Sequence, residues 1–246
     1  MKIDLHWIAQ QLEGLEETII SKLIDRAQFR ANAAVYQPGK SGFNNEPGLS
    51  LFGLRLRHQE EMDARFGRYC VPEERPFTAD LPAPGREVNL PDTGLCLDNL
   101  EAVNLTGEIR AAYLALVPRL CAPGDDGHYG SSVEHDIYAL QAIARRIHFG
   151  ALYVAESKFS DDPRGYSALI EADDEEAITE RLTRRAVEEQ IIERVREKVS
   201  YAQQRVNKRV RYCVEAETVM QFYRDYIIPL TKRGEVLYLM NRRREN

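Results

Sequence analysis

Apolar residues recur every three or four positions along most of the chain, which is the spacing of one face of an α-helix. The repeat is clearest in residues 3–33 and residues 184–206. In the second segment Val187, Ile191 and Val195 share one face while the opposite face is charged or polar, so the pattern predicts an amphipathic helix. No run alternates apolar and polar residues as a half-buried strand requires. The pattern therefore predicts a chain of long helices.

The same spacing predicts further helices, separated by short breaks. They cover residues 49–69, 99–120, 131–159, 162–170, 173–182 and 215–243. Short polar side chains accept hydrogen bonds from the first N–H groups of a helix, so we expect Ser131 or Ser132, followed by Glu134, to start the helix of residues 131–159. For the same reason we expect Asp173 to cap the helix of residues 173–182. Pro229, inside the last helix, predicts a kink.

Residues 71–96 contain five prolines and predict a long irregular connection. The sequence has no internal repeat and no low-complexity segment. Its 246 residues correspond to one large domain or two small ones. The predicted helices are too long for a doubly wound α/β sheet. We therefore predict an all-α fold with a single domain, residues 1–246, of long crossing helices.

Composition narrows the expected partners and compartment. Lys and Arg number 33 against 39 Asp and Glu, and the net charge of −6 argues against nonspecific binding of nucleic acid. No stretch approaches the ~20 apolar residues that a membrane-spanning helix needs. The four cysteines form no C-x-x-C pair and the N-terminus lacks a signal-peptide pattern, so we expect reduced thiols in a cytoplasmic protein.

Motifs for nucleotide or metal chemistry are missing from the sequence. It has no P-loop and no H-E-x-x-H, and none of its five histidines pairs at i, i+4 on a predicted helix, so we predict no metal site. What remains is a set of charged or polar residues on helices with buried faces: Arg146, Lys158, Glu188, Thr231 and Glu235. Separately they read as surface residues, whereas together they could form a cationic cage for a small dianion. Composition and periodicity leave both interpretations open.

Several ordered sequence blocks carry a resemblance to a known family. They are Leu15-Glu-Glu-Thr-Ile-Ile20, Asp25-Arg-Ala-Gln-Phe29, Gly124-Asp-Asp-Gly-His-Tyr-Gly-Ser-Ser132, Arg145-Arg-Ile-His-Phe-Gly150, Ala155-Glu-Ser-Lys-Phe159, Ala186-Val-Glu-Glu189 and Ile228-Pro-Leu-Thr-Lys232. Collinear and spread through nearly the whole chain, they resemble the all-helical chorismate mutases of fungi and plants. The resemblance implies a homodimer that rearranges the small molecule chorismate to prephenate, with no cofactor and no covalent intermediate.

The resemblance implies a role for each candidate residue. Arg146 matches an arginine that holds a substrate carboxylate, and Thr231 matches a threonine that helps to hold one. Lys158 matches a lysine near the ether oxygen of the substrate, and Glu188 a glutamate at the ring hydroxyl. Glu235 matches a glutamate that meets the ether oxygen. It must be protonated to donate there, so we expect burial to raise its pKa and activity to be higher at mildly acid pH.

Two positions depart from the family. Ala9 stands where the family has an arginine that binds a carboxylate, and Arg184 stands where a well-known fungal member has asparagine. We expect Arg184 to bind substrate in place of the missing arginine; the alternative is a surface arginine at a helix start. The loss of an arginine at position 9 and the gain of one at position 184 also suit a mutase that acts on isochorismate or amino-deoxychorismate. A missing substrate ligand also suits a noncatalytic ligand-binding homologue.

A third departure is the spacing from Arg146 to Lys158, which is 12 residues against 11 in the family. Along a regular helix eleven residues return to within ~20° of the starting direction, but twelve end ~120° away. We predict a π-bulge between Phe149 and Ala155 that absorbs the extra residue and keeps Lys158 inward. Gly234, where the family often has valine, is expected to loosen the turn that presents Glu235.

The family also has an amino-acid effector site at its dimer interface. The matching residues are Arg68, Gly130 and Ser131. In fungi Arg68 corresponds to one of two adjacent arginines, and the other position is Gly67 here. Glu134 stands where a threonine helps to bind the effector in fungi. One arginine lost and one carboxylate gained weaken the case for regulation by tryptophan or tyrosine. Arg68, Gly130 and Ser131 remain the candidates for effector binding.

Overall fold

A computed structural model describes residues 4–243, a range that contains ten α-helices and no β-strand. The helices are α1 (Leu5–Arg26), α2 (Leu51–Arg65), α3 (Thr106–Leu120), α4 (Tyr129–Phe149), α5 (Ala155–Asp161), α6 (Pro163–Glu171), α7 (Glu175–Leu182), α8 (Arg185–Ala202), α9 (Ala216–Phe222) and α10 (Ile228–Asn241). Short 3-10 turns cover Ala33–Tyr36, Arg68–Cys70 and Leu100–Val103. None of the ten helices is long and apolar enough to cross a membrane. The predicted all-α fold class is confirmed.

Helix α4 is the centre of the fold and contacts α1, α2, α3 and α10. Ile19 and Leu23 of α1 and Ile137 and Leu140 of α4 belong to one apolar core and are almost completely buried. Burial of an aliphatic side chain of this size stabilises the fold by about 1.5–3 kcal/mol. A second apolar core surrounds the end of α4 and the inner face of α10. Several residues of this second core also line the cavity described below.

A buried ion pair joins the end of α1 to α4. Arg26 Nε donates to Asp136 Oδ1, and both side chains are inaccessible to solvent. The hydroxyls of Tyr36 and Tyr113 donate to the same carboxylate at 2.7 Å. The chain therefore supplies the counter-charge and the hydrogen bonds that a buried guanidinium and carboxylate require.

Two π-helical turns interrupt the long helices, at Gly150–Val154 and Tyr223–Ile227. The first lies between Phe149 and Ala155 and confirms the bulge predicted from the spacing of Arg146 and Lys158. The second ends two residues before Pro229. Proline lacks an N–H group, and in a regular helix its ring collides with the carbonyl four residues earlier. The sequence predicted a kink at Pro229, and the structure accommodates this proline with the π-helical turn Tyr223–Ile227.

Two predicted helix starts are wrong. Helix α4 begins at Tyr129, so Ser131 and Ser132 lie inside its first turn, and Ser132 Oγ donates to the carbonyl of Tyr129 instead of capping. No side chain caps the helix: His128 is its N-cap residue, and the N–H of His128 itself donates to Asp126 Oδ1 in the preceding loop. Asp173 does not cap α7: its φ of 55° is left-handed, and the cap is Asp174, which accepts from the N–H of Ala177.

Other boundaries differ because of contacts across the chain. Helix α1 ends at Arg26, whose Nη1 donates to the carbonyls of Phe29 and Arg30 and so turns the chain back over the helix end. The helix expected from residue 99 divides into a 3-10 turn and α3, because the N–H of Leu105 donates to Nε2 of His148. Residues 71–96 contain neither helix nor strand, as their prolines predicted, and the same holds for residues 97–99.

Candidate active site

A cavity of about 550 Å³ lies between α1, α8, α10 and the segment from the end of α4 to α7. This volume is typical of small-molecule sites. All six residues that the sequence nominated for catalysis or substrate binding line it: Arg146, Lys158, Arg184, Glu188, Thr231 and Glu235. Ala9, the position of the missing family arginine, lines the same cavity. The fold therefore brings the predicted residues together around one space.

Arg146, at the end of α4, is a buried cation without a counter-ion of its own. Its side chain is 3% exposed, and its Nη1 donates to Thr231 Oγ1 at 3.3 Å. Its Nε has no hydrogen-bond partner, and within residues 4–243 no carboxylate lies at ion-pair distance from its guanidinium. Burial of an uncompensated charge is costly, so this arrangement is suited to an anionic ligand.

Lys158 points into the cavity and meets Glu235. Its Nζ lies 2.9 Å from Oε2 of Glu235 and donates to the carbonyl of Leu182 at 3.0 Å. The π-helical turn at Gly150–Val154 is what gives Lys158 this direction after twelve residues. Burial raises the pKa of Glu235 above its ordinary value, and the positive charge of Lys158 opposes that rise. The pair can therefore present both a cation and a proton to a ligand oxygen.

The opposite wall of the cavity comes from α8. Glu188 Oε1 lies 2.8 Å from Nζ of Lys232, which ties α8 to α10. Arg184 is the N-cap residue of α8, where the sequence placed it, and it is exposed at the rim of the cavity. In the described part of the chain its guanidinium has no ion-pair or hydrogen-bond partner. Its charge is therefore available to a ligand that enters the cavity.

Sequence reasoning missed a second layer of charged residues. Arg194 of α8 lines the cavity and binds Glu16 of α1 through two hydrogen bonds, at 2.9 and 2.7 Å. Glu16 is fully buried. The available signal was a carboxylate on the face of α1 that otherwise carries Ile19 and Leu23, because a buried acid requires a partner. That partner, 178 residues away, cannot be found from local spacing.

Tyr166 was also missed. It is buried in α6 and lines the cavity, with the guanidinium of Arg181 located 5.3 Å from the centre of its ring. Burial raises the pKa of its hydroxyl, with Glu235 adding to the rise and Arg184 opposing it. Both charged residues are therefore near enough to influence this hydroxyl.

The candidate effector residues are not assembled in the same way. Arg68 is bound to Asp63 and Glu74 at 2.9 Å each, and its Nη1 donates to Gln141 at 2.7 Å. Gln141 follows Ser131 by ten residues on α4, a separation of ~15 Å along the helix axis. Within one chain, Arg68 therefore lies well away from Gly130 and Ser131.

One histidine, His148, has structural surroundings. His148 is buried, its Nδ1 lies 2.8 Å from the carbonyl of Ala144, and burial lowers its pKa to about 4, so the ring is neutral. Its Nε2 accepts from Leu105. No cluster of His, Cys, Asp and Glu in residues 4–243 has the arrangement of a metal site.

Comparison with known proteins places the chain in a family. No family model matches the chain. The chorismate mutase of Schizosaccharomyces pombe is 37% identical over 248 residues, which cover 98% of this chain and 97% of the relative. Chorismate mutase 2 of Petunia hybrida is 37% identical over 257 residues, covering 100% and 95%. The crystal structure of the Candida albicans chorismate mutase in complex with L-Trp matches with a TM-score of 0.90 and 35% identity, covering 98% of this chain and 92% of that one. The chain belongs to the chorismate mutase family.

Proposed function

We propose that the cavity binds chorismate and catalyses its rearrangement to prephenate. The observation that carries the proposal is the buried guanidinium of Arg146, which has no carboxylate partner among the described residues and faces a cavity of small-molecule size. Chorismate carries two carboxylates, and the planar fork of arginine suits a carboxylate through two parallel hydrogen bonds. A bound carboxylate would balance the charge of Arg146, which no carboxylate in residues 4–243 balances.

The proposed mechanism is positioning together with electrostatic stabilisation. Arg146 and Thr231 hold one carboxylate, and Glu188 accepts from the ring hydroxyl. Held in this way, the substrate keeps the folded conformer in which the new carbon–carbon bond forms. As the ether C–O bond breaks, negative charge grows on its oxygen, and Lys158 and protonated Glu235 donate to it. The 2.9 Å contact between these two side chains supports a shared target, because both can reach one oxygen between them.

We further propose that Arg184 binds the substrate carboxylate that the family arginine would bind at position 9. Both residues line the cavity, and the removal of the long side chain at Ala9 leaves room for a carboxylate to lie nearer α8. Arg184 has a free guanidinium in the described structure. The site thus keeps the same number of positive charges, but one of them moves from α1 to α8. Because a moved cation suits a carboxylate in a different place, isochorismate and amino-deoxychorismate are the alternative substrates.

We also propose a single domain, a homodimer and a cytoplasmic location, in keeping with the family. Effector binding at Arg68, Gly130 and Ser131 is proposed to be weak. The Candida albicans relative was solved with L-Trp bound. In this chain, however, the charge of Arg68 is already balanced by Asp63 and Glu74.

The decisive experiment measures chorismate consumption by the purified protein at about pH 6 and pH 7.5, with identification of the product. We expect prephenate at a rate far above the uncatalysed one, and faster turnover at the lower pH. If the protein turns over isochorismate or amino-deoxychorismate but not chorismate, that compound is the substrate instead. No turnover of any of the three would contradict the proposal and leave a ligand-binding homologue.

A further inference from the structure

The second apolar core contains an unusually close approach between two helices. Gly234 lies in the interior of α10, directly before Glu235, and is buried. A Cβ atom on Gly234 would lie 2.5 Å from the Cβ of Ala151 and 3.2 Å from Cδ1 of Leu105. Real Cβ atoms do not come so close, and the methyl group of alanine has no torsion by which it could move aside. Only glycine fits at this point of α10.

Conformational freedom does not explain the glycine. Gly234 has ordinary helical geometry and is not among the residues with positive φ, so any amino acid could adopt its backbone conformation. A glycine inside a helix lowers helix stability relative to alanine. Gly234 therefore has a packing reason, which is the space that Ala151 occupies, and the expectation that it loosens the turn before Glu235 stays a prediction.

Ala151 belongs to the π-helical turn Gly150–Val154, the turn that holds the extra residue between Arg146 and Lys158. The same turn meets α10 a second time. A Cβ atom on Gly150 would lie 2.6 Å from Cγ2 of Thr231 and 3.3 Å from Nη1 of Arg146. Thr231 and Gly234 are three residues apart and so lie on one face of α10. The π-helical turn thus packs closely against α10, because its residues Gly150 and Ala151 are small and because Gly234 has no side chain.

We infer that Gly234 is a positioning residue that accommodates the extra residue of the π-helical turn, so that α10 approaches the turn closely enough for Glu235 to reach Lys158. The inference rests on the proposed role of the Lys158–Glu235 pair in catalysis. Ala151 precedes Lys158 by seven residues, about two helical turns, and Gly234 is adjacent to Glu235, so the contact fixes the two helices close to where that pair forms. A side chain at position 234 would push the two helices apart and lengthen the 2.9 Å contact.

The test is Gly234→Ala in the full-length protein, with kcat, KM and the pH profile of kcat measured. Displacement of a catalytic group by about 1 Å can lower the rate about 100-fold, so we expect kcat to fall by about 10- to 100-fold while KM changes little. The pH profile should shift, because the contact with Lys158 influences the protonation of Glu235. A defect in folding alone would lower the amount of active protein but leave the pH profile in place.

Rescue and a matched control complete the experiment. Ala151→Gly, introduced into Gly234→Ala, removes the methyl group that collides and should restore kcat and the pH profile, with Ala151→Gly alone as the reference for a double-mutant cycle. Gly14→Ala is the control, because Gly14 is an exposed glycine within α1 whose added Cβ would meet nothing within 4 Å. It should leave kcat and the pH profile unchanged.

Two results would overturn the inference: a Gly234→Ala protein with the kcat and pH profile of the parent, or a loss that Ala151→Gly does not restore. If Gly234→Ala alone does not fold, the double variant decides, since it should fold and turn over chorismate. If the parent protein does not turn over chorismate, the proposed function fails by itself. The contact is then tested by thermal unfolding, where Gly234→Ala should melt below the double variant.

Discussion

The two arginines Arg146 and Arg68 have opposite electrostatic surroundings, although the family resemblance singled out both as ligands of carboxylates. Arg146 is 3% exposed, and its only side-chain partner among the described residues is the neutral hydroxyl of Thr231. Arg68 is partly exposed, yet Asp63 and Glu74 each lie 2.9 Å from it. The more deeply buried cation is the one that lacks a counter-charge.

This difference separates a charge kept for a ligand from a charge kept for the fold. Water cannot screen a buried guanidinium, so a protein that gained nothing from Arg146 would do better with an apolar residue there. Arg26, which is even more buried, shows the structural alternative, because Asp136 balances it inside the chain. Arg68 resembles Arg26 in this respect and differs from Arg146.

The largest expected effect is that of Arg146→Met, which retains an unbranched side chain and removes the charge. Removal of one partner of a buried charge pair costs roughly 2–5 kcal/mol. For a pair formed with the substrate, that is about one and a half to three and a half decades in kcat/KM. Because Arg146 has no counter-ion among residues 4–243, the free energy of unfolding of the variant should stay unchanged or rise. Steady-state kinetics and thermal unfolding measure the two effects.

Arg145→Met is the matched control for that variant. Arg145 is the preceding residue, is 46% exposed, and lies within 3.4–3.8 Å of Glu73 and Glu74, outside the cavity. We expect kcat/KM to stay close to that of the parent. A similar loss in both variants would mean that the charge of Arg146 acts at long range and not by contact with the substrate.

The next effect concerns the acid that shares the cavity with Arg146. Burial raises the pKa of Glu235, so its proton is present at low pH and is lost as the pH rises through that raised value. Activity should therefore be highest at mildly acid pH and fall toward alkaline pH. Glu235→Gln keeps a donor that does not titrate, so its pH profile should be flat on that side. Glu235→Ala should lose about 100- to 1,000-fold in kcat.

A pH profile of the parent that stays flat from about pH 5 to 9 would show that the proton of Glu235 is not needed. The same fall with pH in Glu235→Gln would assign the titration to another group. Tyr166, which lines the same cavity, is not that group, because burial raises the pKa of its hydroxyl and so moves its titration above this pH range.

The sequence was informative where a property repeats along the chain. Helical spacing predicted most of the helices. The spacing of twelve residues from Arg146 to Lys158, compared with eleven in the family, predicted the π-helical turn, because helix geometry converts a number of residues into an angle. It failed where a partner comes from elsewhere in the chain. The bond from Leu105 to His148 and the partner of Glu16 are tertiary contacts, which no local pattern contains.

The roles of the site residues came from the resemblance, and the spacing of apolar positions could not supply them. Arg146 and Arg68 look alike in the sequence. Each lies within a block that resembles the family, and the residues next to it do not indicate whether its charge is balanced. What distinguishes them is the position of Asp63 and Glu74 in space. The charge balance of an arginine becomes visible only when the helices are packed.

A smaller effect is expected at the rim of the cavity. Arg184 is exposed, so water screens it, and the loss of one hydrogen bond to a charged group there corresponds to about 1.5 kcal/mol. Arg184→Ala should therefore raise KM by about tenfold and change kcat less. Adding Ala9→Arg should recover part of the loss, because it restores the arginine of the family on α1. Arg185→Ala, the exposed neighbour outside the cavity, is the control. Equal effects at 184 and 185 would rule out a specific contact.

The smallest effect on catalysis is expected for Arg68→Met, which reverses the pattern of Arg146→Met. It leaves the carboxylates of Asp63 and Glu74 without their shared cation, and hydrogen bonds to charged groups contribute about 1.5–3 kcal/mol each. Because Arg68 is partly exposed, we expect a loss of about 1–3 kcal/mol in the free energy of unfolding, measured by urea titration, with kcat/KM unchanged. L-tryptophan or L-tyrosine should alter the rate of the parent by less than the roughly fivefold that marks the low end of allosteric coupling. A strong response that Arg68→Met abolishes would show that Arg68 leaves Asp63 and Glu74 to bind the effector carboxylate. Both arginines would then bind a ligand, and they would differ only in how strongly they bind it.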